Sequence, residues 1–200
     1  MEQNRMNNST RLIFPAFALL MLLSAAMLFS GCQSSEKSAA PTAVAVPAKT
    51  WTPVHIKAAA AEPFTDPQGV VWLPGAGFTD GETIEHEDLQ IANTTNPGIY
   101  RSERYSMTAF SYPVPNGNYI VKLHFCETYD GITGPGQRVF SFNVEGHPFK
   151  NFDVWVKAGG PERAYVETVP VTVTDGKLDI TFESIVENPQ INGIEIFPAP

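Results

Sequence analysis

The sequence has few of the residues that build metal centres, disulfide scaffolds and many enzyme sites. Its 200 residues include 2 cysteines and 4 scattered histidines, with no CxxC pair, so neither a disulfide-rich scaffold nor a zinc site is indicated. Cys126 lies in an apolar alternating stretch, which predicts a buried, unreactive thiol. With 13 basic and 21 acidic side chains, the net charge of −8 disfavours nucleic acid as a partner. Because GxSxG, HExxH, phosphate-loop and EF-hand patterns are also missing, we expect no cofactor and no resident metal.

The N-terminus has the form of an export signal. Arg5 and Arg11 lie in a polar start, an apolar run extends from Leu12 to Phe29, and small residues precede Cys32. The run approaches the roughly 18 to 20 residues that span a bilayer, so a retained membrane anchor is the alternative. Pro15 and the Ser-Gly-Cys ending favour cleavage, and this ending resembles the lipobox of bacterial lipoproteins, in which the cysteine is lipidated.

This resemblance implies three segments. Residues 1–31 would be a lipoprotein signal peptide, and residues 32–53 a flexible tether from lipidated Cys32, since they are rich in Ser, Ala, Pro and Thr and have no sustained period. The residue after the lipidated cysteine is Gln33, and a neighbour of this kind resembles the signal that sorts lipoproteins to the outer membrane. We therefore expect a lipid-anchored protein of the bacterial cell envelope that contacts the membrane only through its lipid.

Residues 54–200 read as one all-β domain. Turn signals recur at Asn116-Gly117, Glu145-Gly146 and Asp175-Gly176, where tight hairpins require positive φ angles. Between them, apolar and polar residues alternate, as in NYIVKLHF, RVFSFNV and GKLDITF. Short strands with one apolar face predict an antiparallel β-sandwich of two sheets. The segment Gly81 to Ala92 fits no period clearly.

Candidate binding residues fall in predicted loops, where aromatic and polar side chains are neighbours. They are Tyr105 in SERYSM, Tyr129 and Asp130 at a strand end, and Glu187 with Asn188 in VENPQING. A sugar presents an apolar C–H face and a rim of hydroxyls, so its site needs an aromatic plane beside carboxylate or amide groups. Tyrosines that pack on the core with the hydroxyl in solvent explain the same pattern equally well.

Three further interpretations concern charged residues. Glu127 and Glu187 are candidates for the carboxylate pair of a glycosidase, although acidic residues on sheet edges usually face solvent and have no catalytic role. The acidic stretch Glu82–Asp88 could ligate calcium, but a solvated loop is the simpler reading. Arg104 is expected to pair with Glu103 or another carboxylate as scaffolding.

Ordered motifs in GIYRSERYSMTAFSYPVPNGNYIVKLHFCETYDG resemble the malectin family. Its members carry Y-x-[ST]-E-R-Y, then F-x-Y, a P-x-G-x-Y turn and a strand ending in H-F-x-E-x-Y. The matching residues here are Tyr100, Ser102, Glu103, Arg104, Tyr105, Phe110, Tyr112, Pro115, Gly117, Tyr119, His124, Phe125, Glu127 and Tyr129. Later segments such as GQRVFSFNVEG and VENPQINGIEI are also similar, so the resemblance covers nearly all of residues 54–200.

The resemblance implies a jelly-roll β-sandwich that binds carbohydrate without hydrolysing it, and animal members recognise glucose disaccharides. By motif, the family's sugar-binding tyrosines fall on Tyr105 and Tyr129, and its aspartate falls on Glu187. Asp130 stands where animal members have phenylalanine. A further tyrosine of the family site has no counterpart within Thr79–Leu89.

The sequence therefore predicts a non-catalytic carbohydrate-binding lipoprotein whose partner is an oligosaccharide, and the family resemblance suggests one that contains glucose. Its expected site is Tyr105, Tyr129 and Glu187, supported by Asp130 and Asn188. Because two site positions depart from the family, the alternative is an envelope module that binds a protein partner and has a decayed sugar site. A glycoside hydrolase using Glu127 and Glu187 ranks third, since the chain is short for one with an extended cleft.

Overall fold

The alternating runs of the sequence form strands that stack in two main sheets. The computed structural model describes residues 51–199. The predicted signal peptide, the lipidation site Cys32 and nearly all of the predicted tether lie outside the described residues. Among those residues, no helix is long and apolar enough to cross a membrane.

Twelve strands and two short helices make up the described chain. The strands are β1 (Val54–Lys57), β2 (Phe64–Thr65), β3 (Val71–Trp72), β4 (Phe78–Glu85), β5 (Ser102–Pro113), β6 (Gly117–Phe125), β7 (Val139–Val144), β8 (His147–Phe152), β9 (Tyr165–Val173), β10 (Lys177–Val186), β11 (Gln190–Ile191) and β12 (Gly193–Pro198). The helices are α1 (Pro97–Tyr100) and α2 (Val154–Ala158).

All pairings between these strands are antiparallel, as predicted. One sheet has the order β1-β12-β6-β9, and the other has the order β11-β5-β10-β7-β8, with β4 paired to β5 as well. Because β4 pairs with one side of β5 while β10 and β11 pair with the other, β5 is a central strand. Strands β2 and β3 form a separate small pair.

The core lies between the apolar faces that the alternation predicted. Residues two apart on each strand are buried together, such as Val121, Leu123 and Phe125 on β6. Phe125 packs against phenylalanines of the opposite sheet, with its ring centroid 4.9 Å from that of Phe152. Burying a large aromatic side chain contributes about 2 to 3 kcal/mol, so this aromatic cluster is a main source of stability.

One of the three predicted hairpin turns is confirmed. Glu145 and Gly146 have φ angles of 47° and 82°, and they join β7 to β8, which pair with each other. The hairpins predicted at Asn116-Gly117 and Asp175-Gly176 are wrong, because the strands on either side, β5 and β6 or β9 and β10, belong to opposite sheets. Gly176 still has a φ of 87°, a positive angle that glycine adopts at little energetic cost where the chain turns from one sheet to the other.

The predicted loop at SERYSM is wrong, because the segment lies inside the twelve-residue strand β5. The unassigned stretch from Gly81 begins inside its partner β4. Two features explain why the sequence pattern does not reveal the pairing of β4 with β5. The strand β4 has mostly exposed residues on both faces, and the pairing is irregular where Asp80 and Ser106 adopt left-handed φ angles of 62° and 60°. Such an irregularity shifts the alternation by one residue.

The structure also tests the predictions made for Cys126 and Arg104. Cys126 is buried as predicted, and burial raises the pKa of its thiol to about 12, which keeps the thiol protonated and inert. The predicted partner of Arg104 is wrong. Its guanidinium donates to the carbonyl oxygens of Ala58, Asp80 and Gly81 instead of a carboxylate, at distances of 3.1 to 3.3 Å. Arg104 therefore does hold the scaffold, but through backbone oxygens.

Candidate functional site

A cleft of about 290 Å³ lies beside β5 and brings together four of the five predicted binding residues. Tyr105, Tyr129, Glu187 and Asn188 all line it. The other lining residues were not predicted as site residues, and they are Ile84, His86, Glu103 and Arg138. Four stretches that are distant in sequence thus converge on one concave surface.

Strand register places the β5 side of the cleft. Glu103 and Tyr105 are two residues apart and both line the cleft, since alternate residues of a strand share a face. Across the β4–β5 pair, Ile84 is opposite Glu103. On the other side, Tyr105 is opposite Gln190 of β11, and the Ser106 amide donates to the Pro189 carbonyl at 3.0 Å. These bonds hold the 187–190 segment next to Tyr105.

Tyr129 is the most exposed aromatic side chain of the cleft, with 49% of its surface accessible. It follows β6, and its amide donates to Glu127 Oε1 at 3.1 Å. Its ring lies directly over Gly131, where an added Cβ would come within 2.5 Å of a ring carbon. The ring is therefore held by the chain's own loop and presents an open face to solvent.

A buried ion pair connects the two loops of the cleft. Glu127 is 0% exposed, and its Oε2 accepts from Arg138 Nε at 2.7 Å. Arg138 Nη1 also donates to the carbonyl oxygen of Asn188 at 2.7 Å. Because Glu127 fixes the Tyr129 amide and Arg138 fixes the Asn188 backbone, one pair of side chains sets the relative position of both loops.

Glu103 adds a second carboxyl to the cleft floor. Its side chain is 2% exposed and accepts a 2.8 Å hydrogen bond from Thr128 Oγ1. Burial, together with repulsion from Glu127, raises the pKa of Glu103 to about 7, against the opposing effects of Arg138 and Thr128. Burial likewise raises the pKa of Glu127 despite its bond to Arg138. The floor therefore holds two carboxyl groups near one guanidinium.

Glu187 has a left-handed backbone, with a φ of 59°. This conformation costs a non-glycine residue about 1 to 2 kcal/mol, and such strain is found preferentially at functional positions. The side chain is exposed and lines the cleft. The conformation therefore carries a cost in stability and places a carboxylate at the cleft surface.

Asp130 does not line this cleft. It lies instead in a neighbouring cleft, which shares Tyr129 with the first. The stretch Thr79–Leu89, which has no counterpart of the family's further tyrosine, contributes Ile84 and His86 to the cleft lining. No sequence signal marks His86, whereas Glu103 stands inside the E-R-Y motif.

In the described part of the chain, the two carboxylates of the predicted hydrolase pair differ in exposure, and no calcium cluster is assembled. Glu127 is fully buried and bonded to Arg138, while Glu187 is exposed in the cleft. Within residues 51–199, no group of three or more His, Cys, Asp or Glu side chains could hold a metal ion.

The two antiparallel sheets define a β-sandwich that carries a cleft of aromatic and polar side chains. The family model described as "Malectin domain" matches residues 53–194, and the chain belongs to the malectin family. Malectin-B of Xenopus laevis is 31% identical over 96 residues, which are 46% of this chain and 34% of that protein. The matched region thus spans about a third of that relative's length.

Solved structures show the same fold at low sequence identity. The beta-glucuronidase of Bacteroides uniformis superposes with a TM-score of 0.65 at 19% identity, covering 74% of this chain and 18% of the enzyme chain. The extracellular domain of ANXUR1 from Arabidopsis thaliana superposes with a TM-score of 0.64 at 16% identity, covering 72% of this chain and 47% of that chain. At these identities the similarity concerns the fold alone.

Proposed function

We propose that this protein binds an oligosaccharide at the cleft without catalysing its hydrolysis. The observation that carries the proposal is the convergence of Tyr105, Tyr129, Glu187 and Asn188 on one surface. Membership of the malectin family supports carbohydrate as the ligand class. Glucose-containing oligosaccharides are the first ligands to test.

The chemistry of the cleft suits a sugar. The open face of the Tyr129 ring can stack on the C–H face of a pyranose, and Glu187 and Asn188 can bond its hydroxyls. The cleft is partly exposed to solvent, so few hydrogen bonds are fully shielded from water. We therefore expect dissociation constants of roughly micromolar to millimolar.

The burial and bonding of the carboxyl groups support a binding role without hydrolysis. Glycosidases generally use two carboxyl groups that flank the scissile bond. Glu127 is bonded to Arg138 and has no exposed surface, which leaves Glu187 as the exposed carboxylate of the sequence-predicted pair. Incubation with any glycan that binds should release no reducing sugar.

A glycan array probed with the purified protein tests the ligand class. Saturable signal on at least one oligosaccharide, lost in Tyr105→Ala and Tyr129→Ala, would support the proposal. Well-folded protein that binds no glycan would contradict it. If that protein instead retained an envelope protein in a pull-down, unaffected by both substitutions, the module with a decayed sugar site would replace it.

The N-terminal features extend the proposal to the whole protein. We infer a lipoprotein that is exported by residues 1–31, anchored through Cys32 and tethered by residues 32–53. The Ser-Gly-Cys ending supports lipidation, and Gln33 supports the outer membrane. Membrane fractionation should find the protein in the envelope pellet, and Cys32→Ser should move it to the soluble fraction. Fractionation that is unchanged in Cys32→Ser would refute the lipid anchor.

A further inference from the structure

A second, larger cleft of about 590 Å³ lies directly beside the first. The two share Ile84, His86 and Tyr129 in their linings. We propose that the second cleft is an extension subsite, which binds further units of the same oligosaccharide and uses Trp155 as its aromatic platform. This inference rests on the proposed function of the first cleft, and it names the ligand as a chain longer than a disaccharide.

Shared residues make the two clefts continuous. Tyr129 borders both, so a sugar unit stacked on its ring is adjacent to both spaces. His86 Nε2 is buried and has no hydrogen-bond partner among residues 51–199. An unpartnered polar atom in the shared lining can bond a hydroxyl of a ligand that crosses from one cleft to the other.

Trp155 is held in place at the far side of the second cleft. It lies in the first turn of α2, whose N-cap residue Asp153 accepts from the Val156 amide at 3.1 Å. The second oxygen of Asp153 accepts from the Gly136 amide at 2.6 Å, which ties the helix to the 131–137 loop. A half-buried indole on a capped turn is a preorganised surface on which a sugar ring can stack.

Polar groups surround this platform. Asp130 and Glu162 are exposed, and both line the second cleft. The Glu162 backbone is fixed, because its amide donates to the Glu127 carbonyl at 2.9 Å and its carbonyl accepts from the Ala92 amide at 2.8 Å. Two exposed carboxylates beside an indole provide the acceptors that sugar hydroxyls require.

The charge of both clefts indicates a neutral ligand. Asp130, Glu162 and Glu187 are exposed carboxylates at the two clefts, whereas Arg138 is buried and committed to Glu127. Like charges facing each other across an interface are unfavourable, so uronic-acid chains should bind more weakly than neutral ones. The ligand class is therefore a neutral oligosaccharide that occupies both clefts.

An array of linear glycans tests the inference, with each neutral linkage series printed at two, four and six units. We expect the protein to bind the six-unit member of at least one series about tenfold more tightly than the two-unit member. Trp155→Ala should lower six-unit binding to the two-unit level and leave two-unit binding unchanged. Val156→Ala is the matched control, because this neighbour on α2 is 61% exposed and does not line the cleft.

The outcomes separate this inference from the function on which it rests. Equal affinity for two and six units, or tight six-unit binding retained in Trp155→Ala, would overturn the extension subsite and leave the first cleft as the binding site. Binding to no glycan would overturn both. Urea unfolding of Trp155→Ala should match that of Val156→Ala. If it does not, Trp155→Phe, which keeps an aromatic plane, must restore six-unit binding for the inference to stand.

Discussion

The pH dependence of stability offers a quantitative test of the burial of Glu103 in the cleft floor. It is 2% exposed, and burial raises its pKa from 4.5 to about 7. Between these two pH values the folded protein holds a proton that the unfolded chain has lost. The free energy of unfolding should therefore decrease as pH rises, by about 1.4 kcal/mol per pH unit. The contribution is fully present below pH 4.5 and lost above pH 7, which amounts to about 3 kcal/mol over the window.

Glu103→Gln removes this dependence. The amide is neutral at every pH, and its oxygen can still accept from Thr128 Oγ1, which lies 2.8 Å from the native carboxylate. The variant should match the native protein at pH 4.5 and exceed its free energy of unfolding by about 3 kcal/mol at pH 8. Other carboxyl groups titrate in both proteins, so their effects largely cancel in the difference.

Urea unfolding followed by tryptophan fluorescence at pH 4.5, 5.5, 6.5 and 8 measures this difference. Glu183→Gln is the control, because Glu183 is exposed and does not line the cleft, so its difference from the native protein gives the baseline at each pH. A Glu103→Gln difference that does not change with pH beyond this baseline would refute the reasoning, since burial would then not penalise the charge. A stability lower than native at pH 8 would refute it as well.

Three further predictions concern the same cleft. Gly131→Ala should weaken glycan binding at least fivefold with little change in stability, because the added Cβ would displace the Tyr129 ring and not the backbone. Titration on the glycan array measures the affinity and urea unfolding measures the stability. An unchanged affinity would contradict the placement of the ring. Glu187→Gly should leave the free energy of unfolding unchanged or raise it by up to about 1 kcal/mol, because glycine adopts the left-handed φ of this position without strain. Glycan binding should decrease, since the carboxylate is lost. A clear loss of stability in urea unfolding would contradict the assigned strain. Arg138→Met should cost about 3 kcal/mol of unfolding free energy at pH 8, because Glu127 is left buried without its partner. The cost should become smaller as pH falls, because burial raises the pKa of Glu127. A pH-independent cost in urea unfolding would argue against a buried charge.

The strands of the core could be predicted from the sequence because one face of each is apolar. On β6 and β10, the alternation identified the buried residues directly. The pair β4 and β5 could not be predicted, since the left-handed residues Asp80 and Ser106 interrupt the alternation and both faces of β4 are polar. Such irregularities depend on the tertiary pairing, which the local pattern does not encode.

The cleft was predictable only in part. Aromatic residues beside polar ones indicate Tyr105, Tyr129 and Glu187 as candidates, the family resemblance strengthens that prediction, and the structure brings the three residues together. The buried pair of Glu127 and Arg138 was not predicted, because burial of a charge depends on contacts between residues far apart in sequence. For the same reason Asp130 was grouped with the first cleft by its neighbour Tyr129, although its side chain lies in the second.

Tyr129 provides the most direct test of the central claim. Isothermal titration with the best-binding glycan of the array should give saturable binding, weakened about tenfold or more in Tyr129→Ala and largely kept in Tyr129→Phe, because the ring face supplies the stacking. Equal affinity in the native protein and Tyr129→Ala would contradict a sugar site at this cleft, provided that urea unfolding shows both proteins to be folded.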